Sequence, residues 1–132
     1  VVDKKMQVVM EMIKEKGVEM ILGSVKDQGL GNTIMVGLGG TYVEIFKDVT
    51  FGLAPLTAYD AQKMINKLKS KKILDGARGQ AVMDTQGLVD CLGRLSQLLV
   101  DFPNIKELDI NPLLVLPKGR GVRVLDARIV IE

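Results

Sequence analysis

The chain has 132 residues, with no histidine, no tryptophan and one cysteine, Cys91. Without histidine it cannot build a Ser-His-Asp triad, a Cys-His pair, a histidine-rich zinc site or a phosphohistidine of its own, and a lone cysteine cannot close an internal disulfide. Hydrophobic residues at 47% and charged residues at 26% predict one soluble globular domain, and 18 basic against 16 acidic side chains is too balanced to signal nucleic acid.

Two tyrosines and three phenylalanines are too few for a base-stacking platform. The longest uncharged run, Gln28 to Val43, is short for a membrane span and is interrupted by glycines, so no membrane is expected. Nothing in the cysteine usage points to an oxidising compartment, and a cytoplasmic setting is the expectation. Val1-Val2-Asp3 offers no natural start, so a processed or trimmed chain is expected.

Val18, Met20 and Leu22 alternate with Glu19, Ile21 and Gly23, the period of a strand. Asp27 to Asn32 is a turn by composition, and Thr33 to Leu38 reads as the returning strand. Gly39-Gly40 predicts a second tight turn, followed by strands at Tyr42–Phe46 and Thr50–Leu56. The first part of the chain is therefore an antiparallel meander. Thr57 with Asp60 three residues on predicts a capping box, and Ala61, Met64, Ile65 and Leu68 form one helical stripe. Gly76 and Gly79 bracket a loop. A second helix starts near Asp84, with Leu88, Cys91, Leu92, Leu95, Leu98 and Leu99 on one face, and Pro103 ends it. Cys91 lies on that stripe and reads as a core residue. Strands at Ile105–Leu116 and Val122–Ile131 flank the hairpin loop Pro117–Gly121. The fold class is α+β, a mostly antiparallel sheet with two main helices, and residues 1–132 form a single domain.

Glu107-Leu108-Asp109-Ile110-Asn111-Pro112 carries the sharpest chemical signal. Strand alternation turns Leu108 and Ile110 to the core and projects Glu107, Asp109 and Asn111 from the other face. Two carboxylates and an amide oxygen are hard-oxygen donors of the magnesium type. A loop centred near Gly119 sets Asn111 beside Ala127, one residue from Asp126, so Asn111 and Asp126 could reach one ion. The same pattern also describes a solvated polar strand face. Gly37 to Gly40 reads as a tight turn rather than a phosphate cradle, because no helix start follows. Met10-Glu11-Met12 and Glu19 flank a charged connection that could meet an adenine edge and a ribose, or could simply be an exposed turn. The lysines between Lys63 and Lys72 read as a solvated helix face.

Four segments in order carry a resemblance: Lys16 to Gly23, Met35 to Glu44, Lys47 to Leu56, and Glu107 to Leu113. Together they resemble the ATP-grasp region of the beta subunit of ADP-forming acyl-CoA (acetyl-CoA) synthetases, with the succinyl-CoA synthetase beta chain as a more distant relative. The resemblance covers nearly the whole chain. It implies the C-terminal subdomain of an ATP-grasp fold, starting just before the hinge strand. It implies ATP or ADP and Mg2+ as cofactors. Met10, Glu11 and Met12 would meet adenine through backbone, Glu19 the ribose, and Asn111 with Asp126 the magnesium. Asp109 would lie where a phosphohistidine is handled.

The implied reaction converts acyl-CoA, ADP and phosphate to acid, CoA and ATP. The implied partners are the N-terminal ATP-grasp half and a CoA-binding ligase alpha subunit or domain. The face left by an absent half also predicts some self-association. This chain has Gly52 where relatives commonly carry arginine, and Asp27 to Asn32 differs from their usual Asp-Pro-x-Phe-Gly-Pro turn. Two other readings remain open: an ATP-grasp-like regulatory module of a protein lysine acetyltransferase, and a non-catalytic interaction domain.

Overall fold

The structure, a computed structural model, describes residues 17–40 and 48–132. The elements run β1 (Val18–Asp27), β2 (Gly31–Leu38), β3 (Val49–Leu53), α1 (Ala58–Asn66), α2 (Lys71–Leu74), a single 3-10 turn (Ala77–Gly79), α3 (Thr85–Asp101), β4 (Ile105–Val115), β5 (Val122–Val124) and β6 (Ala127–Ile131). The six strands form one sheet in the order β3-β2-β1-β4-β5, with β6 also paired to β4. Among the described residues every strand pairing is antiparallel.

The sequence explains the meander locally. One carboxylate oxygen of Asp27 accepts from the N–H groups of Gly29 (2.8 Å) and Leu30 (3.0 Å), which closes the first turn. Gly31 then takes a positive φ of 91°, and the strands register with Asp27 opposite Gly31.

Both main helices pack on one face of the sheet. Met20 and Leu22 of β1, Ile34 and Val36 of β2, and Leu108, Ile110 and Leu113 of β4 meet Ala61, Met64 and Ile65 of α1 and Leu88, Leu92, Leu95 and Leu99 of α3 in one buried cluster. Helix α1 has the capping box that its sequence predicts: Thr57 Oγ1 accepts from Asp60 N–H (3.1 Å) and Asp60 accepts from Thr57 N–H (3.0 Å). Ser96, buried on α3, accepts the Leu56 N–H at 2.7 Å and so ties the β3–α1 link to the other helix. Asp84 caps α3 by accepting from Gly87 N–H (3.0 Å) and reaches across to accept from Gly121 N–H (2.7 Å), which fastens the helix start to the loop after β4.

Several expectations change. The final strand is two strands, β5 and β6, separated at Leu125 and Asp126. Strand β3 is Val49–Leu53 and ends before Ala54. Helix α2 and the 3-10 turn fall in a segment whose hydrophobic period is too short to announce a helix. The strand expected at Tyr42–Phe46 lies outside the described residues. Gly52 faces α1: a Cβ there would sit 2.7 Å from Met64 Sδ, so an arginine would have to displace that side chain.

Candidate functional site

The sheet face opposite the helices carries the polar groups. Antiparallel partners share a face, so the pairing reads out as rows across the sheet. One row is Phe51, Met35, Gly23, Asp109 and Arg128. The next row on the same face holds Thr33, Val25 and Glu107. Phe51 is 62% exposed and Val25 is 57% exposed on this face. A cleft of about 360 Å³ lies over these rows, lined by apolar Val25, Met35 and Phe51 and by Glu107, Asp109 and Arg128.

Asn111 and Asp126 form the neighbouring row. Asn111 N–H donates to the Asp126 carbonyl at 3.1 Å, and Leu125 N–H donates to the Pro112 carbonyl at 3.1 Å. Ala127 pairs with Ile110, not with Asn111. The sequence register was therefore one residue off, and the correction sets Asp126 directly opposite Asn111. The two strands jog together here. Relative to β1 the register shifts between Met20 and Leu22, so Asn111 and Pro112 together occupy the place opposite Ile21. The jog exchanges which residues of β4 face the core. Leu108 and Ile110 do so before it, and Leu113 and Val115 after it. Asn111 stays exposed, and so does Asp126.

Glu19 lies on the same face of β1 as Ile21 and Gly23, at the far side of the jog. Its carbonyl accepts from Gly39 N–H at 2.9 Å. Its carboxylate lies against Gly40, since a Cβ there would be 3.3 Å from Glu19 Oε2. Gly40 has a φ of 83°, a conformation glycine adopts without strain. Along β1 the order is thus Glu19, then the Asn111–Asp126 row, then the Asp109–Arg128 row. Four residues of strand span about 13 Å. Met10, Glu11 and Met12 lie outside the described residues.

The donor chemistry of Asn111 and Asp126 suits a hard cation. An amide oxygen on β4 and a carboxylate on the link between β5 and β6 would supply two oxygen ligands, and magnesium ordinarily takes one or two protein carboxylates and completes its shell with water and phosphate oxygens. Among the described residues no three histidine, cysteine, aspartate or glutamate side chains gather closely enough to hold a metal by themselves. Two such ligands fit a cation that completes its shell with phosphate oxygens and water. Cys91 is half-buried on α3, and burial pushes its thiol up, as expected of a core residue. Arg128 is the site residue that the sequence reading missed. The hairpin register held the signal, because the count that brings Asn111 to Asp126 also brings Asp109 to residue 128.

The chain matches the ATP-grasp domain family model over residues 3–131. It is 52% identical over 121 residues to the 4-hydroxybutyrate–CoA ligase [ADP-forming] of Nitrosopumilus maritimus, covering 92% of this chain and 17% of that protein. It is 48% identical over 117 residues to the acetate–CoA ligase [ADP-forming] II subunit beta of Pyrococcus furiosus, covering 88% of this chain and 50% of that subunit. Its structure is similar, with a TM-score of 0.83 and 43% identity, to the dinucleotide-forming acetyl-coenzyme A synthetase 1 of Ca. Korarchaeum cryptofilum, covering 88% of this chain and 54% of that one. That structure holds coenzyme A and Mg-AMPPCP, with a phosphohistidine segment pointing towards the nucleotide-binding site. The chain belongs to the ATP-grasp domain family, and its close relatives are ADP-forming acyl-CoA ligases. It spans half the length of that beta subunit, and much less of the longer ligase.

Proposed function

We propose that these residues are the second half of an ATP-grasp clamp, the nucleotide- and magnesium-binding part of an ADP-forming acyl-CoA ligase. The enzyme interconverts acyl-CoA, ADP and phosphate with acid, CoA and ATP through a phosphohistidine. This chain has no histidine, so that group comes from elsewhere in the enzyme. The partners are the other ATP-grasp half and a CoA-binding subunit or domain. The setting is the cytoplasm, and no helix among the described residues is long and apolar enough to cross a membrane.

The observation that carries the reading is the order of polar groups on the open face. Glu19 comes first, the Asn111–Asp126 pair next, and Asp109 with Arg128 last. A nucleotide laid along β1 would meet Glu19 at its ribose, Asn111 and Asp126 through magnesium at its phosphates, and Asp109 where the phosphoryl group departs. When bound, magnesium would supply charge neutralisation at the phosphate oxygens. Asn111 and Asp126 orient that end of the ligand, and the helix-backed sheet holds both on a rigid frame.

The test is calorimetry of the complete enzyme with Mg-ADP, comparing wild type with the Asn111→Ala/Asp126→Ala double variant. The expected result is weaker binding by tenfold or more, on the scale of losing metal-orienting groups, with an unchanged melting temperature. Unchanged affinity in the double variant counts against the proposal.

A further inference from the structure

We infer that Arg128 is the phosphoryl-binding residue of this face, poised on Glu107 until the phosphoryl group arrives. The inference rests on the function proposed above and assigns a role to a side chain outside the nucleotide and metal sets.

Three observations support it. First, position: Arg128 is opposite Asp109, and alternation puts it on the same face as Asp126 two residues earlier. It stands in the row beyond the metal pair, on the side away from Glu19, where the terminal phosphoryl group of a nucleotide laid along β1 would be. Second, charge: among the described residues lining the cleft, Arg128 is the one cation, beside the carboxylates of Glu107 and Asp109. Two carboxylates alone would repel an incoming phosphoryl group. A guanidinium reverses this and presents a fork that matches phosphoryl oxygens two at a time. Third, readiness: its one ion-pair contact among the described residues is to Glu107 Oε2 at 4.0 Å, too long for a hydrogen bond. The Arg128 side chain is 72% exposed, and a loose, solvated pair of this kind costs little to exchange.

The step it serves is balanced. A lone pair on a histidine nitrogen, supplied by another part of the enzyme, attacks the terminal phosphorus of ATP. The P–N bond forms as the bond from phosphorus to the bridging oxygen breaks, and that electron pair leaves with ADP. The proton on the other imidazole nitrogen passes to water. Arg128 contributes by holding the equatorial phosphoryl oxygens, over which charge is spread during transfer.

The experiment uses the complete enzyme and two variants: Arg128→Ala and Arg128→Lys. Radiolabelled terminal phosphate of Mg-ATP is followed into phosphohistidine in a single turnover, and Mg-ADP affinity is measured alongside. The expected result for Arg128→Ala is transfer slowed about 100-fold, with Mg-ADP affinity within about threefold, since ADP lacks the group that Arg128 meets. Arg128→Lys should retain part of the rate, and free guanidinium should restore part of it to Arg128→Ala. Transfer at the wild-type rate in Arg128→Ala overturns the assignment, and so does a slow rate that neither lysine nor guanidinium improves. A wild-type enzyme that binds no Mg-ADP and forms no phosphohistidine overturns the proposed function itself.

Discussion

Asn111 and Asp126 face one another across the last hairpin, with the Asn111 N–H on the Asp126 carbonyl at 3.1 Å. The backbone sets their pairing, so both exposed side chains are free for a ligand. Side-chain chemistry and fold are therefore separable at this point. Asp126→Asn in the complete enzyme should raise the magnesium concentration needed for ADP binding about tenfold, a loss of roughly 1.4 kcal/mol in that linkage. The melting temperature should stay within a degree or two, because a surface change away from packing usually alters stability by less than about 0.5 kcal/mol. Nucleotide titrations at stepped magnesium concentrations check the first part, and a thermal scan checks the second.

Asp84 gives the fold an acid sensitivity. The N–H donated by Gly87, and then that donated by Gly121, hold its carboxyl below the usual aspartate range. A depressed folded-state value stabilises the ionised form. The contribution is complete above the unfolded value, about 3.9, and is lost as pH falls from there through the lower folded value. Asp84→Ala should cost about 0.5–2 kcal/mol at neutral pH, the range for losing a helix cap. Denaturant melts between pH 2 and 7 (on the scale of these pKa values) should show a steeper acid loss in wild type than in the variant.

Two glycines should respond in opposite directions to alanine. A Cβ on Gly37 would lie 2.5 Å from Val49 Cγ1 and 2.7 Å from the Asp48 carbonyl, and backbone cannot swing away. Gly37→Ala should destabilise by about 3 kcal/mol, at the upper end for overpacking. Gly93 sits inside α3 with nothing within 4 Å of the added carbon. Gly93→Ala should stabilise by about 0.5–1 kcal/mol through helix propensity alone. Paired chemical denaturation curves decide both.

Cys91 should be slow to react. Burial raises its thiol pKa and outweighs the charge of Arg94, so little thiolate forms near neutrality. Iodoacetamide at pH 7 should label the native protein about tenfold more slowly, or slower still, than the same protein in urea, given a tenfold loss of thiolate per pKa unit. Equal rates in the two conditions would place Cys91 outside the packed stripe.

Much of this was readable in residue order. The capping box at Thr57 and Asp60 is local chemistry, and local chemistry is legible. The stripes on α1 and α3 gave the core, since Met64, Ile65, Leu92 and Leu99 are buried as their spacing requires. Alternation in β4 correctly turned Leu108 and Ile110 inward and Asp109 outward. The jog at Asn111–Pro112 was not legible, because it depends on how β1 lies against β4 and not on the hairpin alone. A count through the loop missed the true partner of Asn111 by one residue for a separate reason: the hairpin is centred between Lys118 and Gly119, not on Gly119. Arg128 escaped because an arginine on a terminal strand looks like any solvated cation until the strand beside it is known.

The hairpin that joins Asn111 to Asp126 has a further consequence, for tolerance to change. The ladder that fixes their pairing continues past them, with Leu113 opposite Val124 and Val115 opposite Val122, before the chain reaches the loop at Pro117. Insertions at the loop tip are absorbed beyond that ladder and leave the pair in place. A deletion of one residue between Pro112 and Val115 has no such shelter, because it shifts the register and turns every side chain beyond it to the opposite face. The hairpin can therefore lengthen at its tip, around Gly119, only if the number of residues between that tip and the Asn111–Asp126 pair stays fixed.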